Sequence, residues 1–350
     1  MARMDPRLRA WAWLTSRQVS AATRSEADAI ALQRRRVPDN LVTNWIFGKV
    51  APGTDVSNRS IPGPGGDLPV RVYQPVRAIA GPRPLVVYLH GGGFVFGDLR
   101  LGDWACSQVA VTVGAVVVSV DYRLAPVHRF PAAVEDAYAA LTWAAANAAG
   151  LRAQGRLGVF GESAGGTLSA VMCLLARDRG GPVISHQALI YPAVDMTERS
   201  RSATASPNAP FLTAADRVAY RAMYFGPDGD RGNPMASPLL AGDHGKLPPA
   251  LIQVGEHDPL REDGLRYAAA LRAAGVPVRV TEYAGVPHGF INFPGLSRSA
   301  AQALAEVCAE QKSALVQPGE HAEPGESGNL AESGNLAESG EPGESGEHAE

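Results

Sequence analysis

Gly161-Glu162-Ser163-Ala164-Gly165 lies directly after an apolar, strand-like run (Leu157, Val159, Phe160) and directly before a helix-like run, Thr167 to Ala176. A serine on a sharp strand-to-helix turn presents its Oγ at the tip of that turn, and only residues without bulky side chains fit two positions to either side. The helix that follows aims its N-terminal N–H groups at the reacting centre, which favours negative charge developing there. Glycine and serine also mark ordinary turns, so the pentapeptide gains its meaning from what stands upstream.

His90-Gly91-Gly92-Gly93-Phe94 follows the apolar run Leu85-Val86-Val87-Tyr88-Leu89. A flexible turn would explain glycine, but not three in succession after a histidine at the end of a buried strand. Acyl transfer explains them. It places negative charge on a carbonyl oxygen, and backbone N–H groups approach that oxygen closely only where no side chain intervenes. The candidate donors are the N–H groups of Gly92, Gly93 and Ala164, with Gly91 as a further candidate. Losing one such donor costs about 2.7–4 kcal/mol of transition-state stabilisation. His90 reads as a structural residue that fixes the loop rather than as a proton carrier.

A serine nucleophile needs a base, and the base an orienting carboxylate. His288, in Val286-Pro287-His288-Gly289-Phe290, follows the last strand-like segment, Val278 to Tyr283. The buried-strand pattern Ala250 to Gly255 is followed by Glu256-His257-Asp258-Pro259-Leu260. Asp258 is the first choice for the carboxylate, with Glu256 and Asp263 as local competitors. The chain order is then Ser163, Asp258, His288.

With these residues in place the chain resembles the hormone-sensitive-lipase-like branch of the α/β-hydrolases, which includes many bacterial carboxylesterases. The resemblance rests on His90 to Phe94, Asp121-Tyr122-Arg123-Leu124-Ala125-Pro126, Phe130-Pro131-Ala132-Ala133, Gly161 to Gly166, Ser237-Pro238-Leu239-Leu240, Leu247-Pro248-Pro249-Ala250, Asp258-Pro259-Leu260 and His288-Gly289-Phe290. These run in the family's order from about residue 70 to about 310. Two departures stand out: Val127 and Arg129 replace the family's frequent Glu and Pro, and Glu162 replaces its frequent Asp. The resemblance implies an α/β-hydrolase fold and hydrolysis of short- to medium-chain acyl esters through an acyl-serine, without metal or organic cofactor. The same triad would serve an amide or formamide hydrolase, and a non-catalytic ligand-binding homologue is the remaining alternative.

From Leu85 to Ser313 the pattern alternates strand-like runs (85–89, 115–120, 157–160, 186–190, 250–254, 278–283) with helical ones (about 103–113, 132–149, 164–176, 264–274, 298–312). Alternation implies a mostly parallel sheet with helices on both faces. Residues 1–50 read as one or two amphipathic helices, which the family uses as part of a cap. Residues 54–83 resemble an opening hairpin with a short strand at Val70 to Tyr73. The catalytic domain is expected over 51–316, interrupted by a cap insertion at about 195–245 that carries Tyr220, Met223, Tyr224 and Phe225.

Residues 317–350 repeat two hexads, Glu-Pro-Gly-Glu-Ser-Gly and Asn-Leu-Ala-Glu-Ser-Gly. They hold nine Glu and no Lys, Arg or Asp, so the remainder of a chain of net charge −3 is basic by about +6. Such acidic, Gly/Pro/Ser-rich sequence cannot bury a core and is expected to be disordered. Cys106, Cys173 and Cys308 are an odd number without paired spacing, which points to a reducing, cytoplasmic setting. Trp11 to Leu14 is too short for a secretory apolar region, and no membrane-spanning run is expected. The expected partner is a small-molecule ester. No nucleic acid is expected, and a homodimer through the last strand or helix is compatible with the reading.

Overall fold

The computed structural model describes residues 3–33, 38–77, 82–197 and 208–316. The acidic repeat and most of the Ser/Pro loop around 200–207 lie outside these residues. Eight strands form one sheet: β1 (Thr54–Gly63), β2 (Gly66–Pro75), β3 (Leu85–Leu89), β4 (Val116–Val120), β5 (Leu157–Glu162), β6 (Ile184–Ile190), β7 (Ala250–His257) and β8 (Val278–Pro287). Their spatial order is β1-β2-β4-β3-β5-β6-β7-β8. β1 pairs antiparallel with β2 and β2 with β4, and every later pair is parallel.

Every residue of β3, β4 and β5 is buried, as expected of a parallel sheet covered on both faces. Alternate side chains point to opposite faces. Val87, Val118 and Val159 share one hydrophobic cluster with residues of α5 (Ala132–Ala146), α6 (Ala164–Asp178) and α8 (Arg261–Ala273). Val86, Val117 and Phe160 join the other, with residues of α4 (Asp103–Val113) and α9 (Arg298–Leu315). Each such side chain taken fully out of water contributes about 1.5–3 kcal/mol.

The remaining helices are α1 (Pro6–Val19), α2 (Glu26–Gln33), α3 (Leu41–Phe47) and α7 (Ala214–Phe225). The N-terminal region thus holds three helices rather than one or two. α3 escapes a reading of apolar spacing because it buries Ile46 while Leu41, Val42 and Trp45 are exposed. The opening hairpin is also longer than expected, ten residues in each strand. β1 is almost wholly solvent-facing, so its sequence carries no alternation to read. Among the described residues no helix is long and apolar enough to cross a membrane.

Parallel pairing brings the carboxyl ends of β3, β5, β6, β7 and β8 to one edge of the sheet. In open α/β sheets that edge is where ligands bind. The segments after β3, β5, β7 and β8 are those singled out in the sequence.

Candidate active site

Ser163 sits between the end of β5 and the first residue of α6 with φ 54° and ψ −117°. A non-glycine residue held there stores on the order of 1–3 kcal/mol of strain. The surroundings enforce it. The Ser163 N–H donates to the Ile190 carbonyl at 2.9 Å, and the Ser163 carbonyl accepts the Thr167 N–H at 3.0 Å. A side chain on Gly165 would collide with the Leu89 carbonyl, and one on Gly161 would come 2.5 Å from the Gly165 carbonyl oxygen. The glycines are therefore required by the closeness of β3 and α6.

His288 Nε2 lies 2.9 Å from Ser163 Oγ, and His288 Nδ1 lies 2.8 Å from Asp258 Oδ2. Asp258 is buried, and its other oxygen accepts the Leu260 N–H at 2.7 Å. This second bond fixes the carboxylate plane. Of the two competitors, Glu256 accepts the Gly285 N–H at 2.9 Å, and Asp263 lies buried within α8. The imidazole is packed from one side by the Tyr191 ring, centroids 4.6 Å apart. Tyr191 belongs to no motif in the sequence. It directly follows β6 at the carboxyl edge, which is the only signal for it.

The loop after β3 needs one correction. Gly91 was a candidate oxyanion donor, but its N–H donates to Glu162 Oε1 at 2.7 Å. The pairing follows from register: Leu89 faces Gly161 across β3 and β5, which puts the next residues side by side. Gly92 (φ 112°) and Gly93 (φ 64°) follow in left-handed conformation, and among the described residues no acceptor claims their N–H groups. The N–H of Ala164, at the first position of α6, has no partner in its own helix by geometry. These three remain the candidate donors, and Gly93 and Ala164 line the same cavity as Ser163. His90 is fully buried, is stacked on Tyr122 at 4.3 Å and is bonded through Nδ1 to the Gly91 carbonyl at 2.7 Å. Burial lowers its pKa, so it stays neutral and structural.

Glu162 therefore does more than replace an aspartate. Burial pushes its pKa up to about 7, against the opposing effect of bonds from the Gly91 N–H and the Tyr88 side chain. The folded protein then holds this proton after the unfolded chain, titrating near 4.5, has lost it. The contribution to stability is full below about 4.5 and is lost as pH rises towards about 7, on the order of 3 kcal/mol in all. Glu162→Gln keeps an acceptor for Gly91 but cannot ionise. Its melting temperature relative to wild type should rise between about pH 5 and 7 and level off above that, and a pH-independent difference would show that Glu162 does not titrate in this range.

The cavity over Ser163 is small, about 50 Å³. Its wall combines the loop after β3 (Gly93, Phe94), the segment after β6 (Ala193, Asp195, Met196), Leu260 and one face of α7, including Tyr220 and Tyr224. Tyr224 also stacks on Phe94, centroids 4.0 Å apart, so the aromatic cluster both packs the interior and lines the cavity. The N-terminal segment holds α7 in place. Ser20 Oγ and the Ala22 N–H both donate to Asp216 Oδ1, at 2.7 and 3.1 Å. Gln33 Nε2 donates to the carbonyls of Val95 and Ala125. Arg129, one of the departures from the family pattern, pairs with Glu26 of α2 at 2.8 Å. Among the described residues no group of three or more His, Cys, Asp or Glu is placed to hold a metal ion.

Comparison with known proteins agrees with this geometry. The sequence profile of an alpha/beta hydrolase fold family matches residues 86–292. Esterase LipI of Mycobacterium tuberculosis is 43% identical over 258 residues, covering 73% of this chain and 80% of the relative. An ethyl acetate hydrolase of Pseudomonas putida is 37% identical over 249 residues, 69% of this chain and 77% of the relative. Among solved structures, a hyperthermophilic esterase from the archaeon Pyrobaculum calidifontis superposes with a TM-score of 0.78 at 39% identity, over 89% of this chain and 99% of that one.

Proposed function

The chain belongs to the hormone-sensitive-lipase-like branch of the alpha/beta hydrolase fold and is a carboxylic ester hydrolase; we propose that Ser163, His288 and Asp258 are its catalytic triad and that its substrates carry short- to medium-chain acyl groups. The observation that carries this reading is the chain of contacts from Ser163 Oγ through His288 to Asp258, at 2.9 and 2.8 Å, opening on the small cavity. His288 Nε2 accepts the serine proton as Oγ attacks the ester carbonyl. The oxyanion forms towards the N–H groups of Gly92, Gly93 and Ala164. His288 then protonates the departing alcohol, and water, activated in the same way, releases the acid from Ser163. Asp258 keeps the imidazole proton on Nδ1 and stabilises the imidazolium. α1 to α3 and α7 act as the cap that keeps bulk water from this sequence of steps.

A small cavity supports short acyl chains, because each added methylene must displace wall atoms or lie outside. Hydrolysis of p-nitrophenyl esters from acetate to palmitate tests this. The optimum should fall among the short chains, and an optimum at palmitate would refute the assignment of the cavity to the acyl group. The free, buried Cys106, Cys173 and Cys308 support a reducing, cytoplasmic setting. β8 ends the sheet with only β7 beside it, which supports a homodimer paired along that edge. Sedimentation should then give twice the chain mass of 36.7 kDa, and a monomer would remove the proposal.

A further inference from the structure

α7 presents a cation to the cavity that the hydrolysis of a simple ester does not use. Arg217 lines the same cavity as Ser163 and is 6% exposed. Its guanidinium makes one long hydrogen bond, Nη1 to the Pro259 carbonyl at 3.5 Å. Among the described residues no carboxylate pairs with it. Removing a guanidinium from water without an anionic partner is costly, so a buried arginine in this state is a site prepared for an anion.

The neighbouring acids do not fill that role. Asp195, on the same wall, accepts the Thr197 N–H through Oδ1 and pairs through Oδ2 with Arg266 Nη1 at 2.9 Å. Asp216, beside Arg217 in sequence, is held by Ser20, Ala22 and Thr213. Asp258 is engaged by His288 and Leu260. A second guanidinium, that of Arg221, lies one helical turn on and lines the same wall, but it has a partner of its own, which leaves Arg217 as the cation that carries the inference.

We propose that Arg217 is a carboxylate-binding subsite and that this esterase prefers substrates bearing a carboxylate on a short arm from the ester, such as half-esters of short dicarboxylic acids. The inference rests on the ester-hydrolase reading and narrows it. A carboxylate matches the planar fork of a guanidinium, which can give it two parallel N–H bonds. The size of the cavity sets the short arm.

Matched esters test this: monoethyl succinate against ethyl succinamate, and acetoxyacetate against acetoxyacetamide. Each pair differs in little but charge. In the wild type kcat/KM should favour the anion by about tenfold or more in at least one pair, as expected where a site holds an otherwise unpaired polar group. Arg217→Gln should bring that ratio to about one, mainly through KM, and Arg217→Lys, which keeps charge without the fork, should fall between. Free succinate should also inhibit the wild type more strongly than succinamide, a comparison that needs no variant. Neutral isosteres preferred in both pairs, or a ratio that survives Arg217→Gln, would overturn the proposal while leaving the esterase intact. Failure to hydrolyse p-nitrophenyl acetate as well would instead overturn the reading on which it rests.

Discussion

Ser163→Ala will abolish ester hydrolysis, lowering kcat by about six orders of magnitude, and His288→Ala will do nearly the same. The double variant should be little worse than either alone. The reason is geometric. Ser163 Oγ and His288 Nε2 are 2.9 Å apart, and each is useless without the other: the hydroxyl is a poor nucleophile unless its proton has a destination. Their effects therefore do not add. Residual rate should remain above that in water, because the proposed oxyanion donors, the N–H groups of Gly92, Gly93 and Ala164, are untouched by either substitution. Alanine at 163 fits the same backbone, since the strained turn is held by the Ile190 and Thr167 bonds and by the glycines around it. An unchanged circular dichroism spectrum with no turnover of p-nitrophenyl acetate is the expected pair of results. Retained turnover at a tenth of wild type would mean that another residue attacks the ester.

Much of this site could be read in the chain because the chemistry demands glycine at fixed positions. Gly161 and Gly165 flank Ser163 where β3 and α6 pass too close for a side chain, and that need is written into five consecutive residues. The same logic identified the loop after β3, but it could not say which glycine does what. Gly91 looks like its two successors in sequence and differs only because Glu162 is its neighbour across the sheet. The sequence alone leaves the choice among Glu256, Asp258 and Asp263 open, since all three lie within a few residues of the end of β7. The register shift between β7 and β8 near Gly255 and His257 and the Leu260 N–H settle which carboxylate faces His288. Parts recognised by the water around them were harder still. β1 exposes most of its residues and α3 buries only Ile46, so neither shows a periodic apolar face. Arg217 reads as an ordinary surface cation of an amphipathic helix until α7 is laid over the cavity.

Asp258→Asn tests the third member of the proposed triad by the direction of a single hydrogen bond, and it should lower kcat by about four orders of magnitude, as the same exchange does in a serine protease. The carboxylate has two fixed partners, Leu260 N–H at Oδ1 and His288 Nδ1 at Oδ2. An asparagine must place its carbonyl oxygen towards the Leu260 N–H, which only an acceptor can satisfy. Its amide NH2 then faces His288 Nδ1. A donor in that position forces Nδ1 to be the acceptor and moves the ring proton to Nε2, the nitrogen that must take the proton of Ser163. The imidazole would keep its place and still be unable to act as a base. Little loss of stability should accompany the loss of rate, because both hydrogen bonds are made. Asp258→Ala lacks the misdirected donor and leaves the ring free to choose its tautomer. Asparagine should therefore be no better than alanine despite being nearly the shape of the native residue. An asparagine variant within tenfold of wild type would show that Asp258 does not set the tautomer, and the role would pass to Glu256 or Asp263.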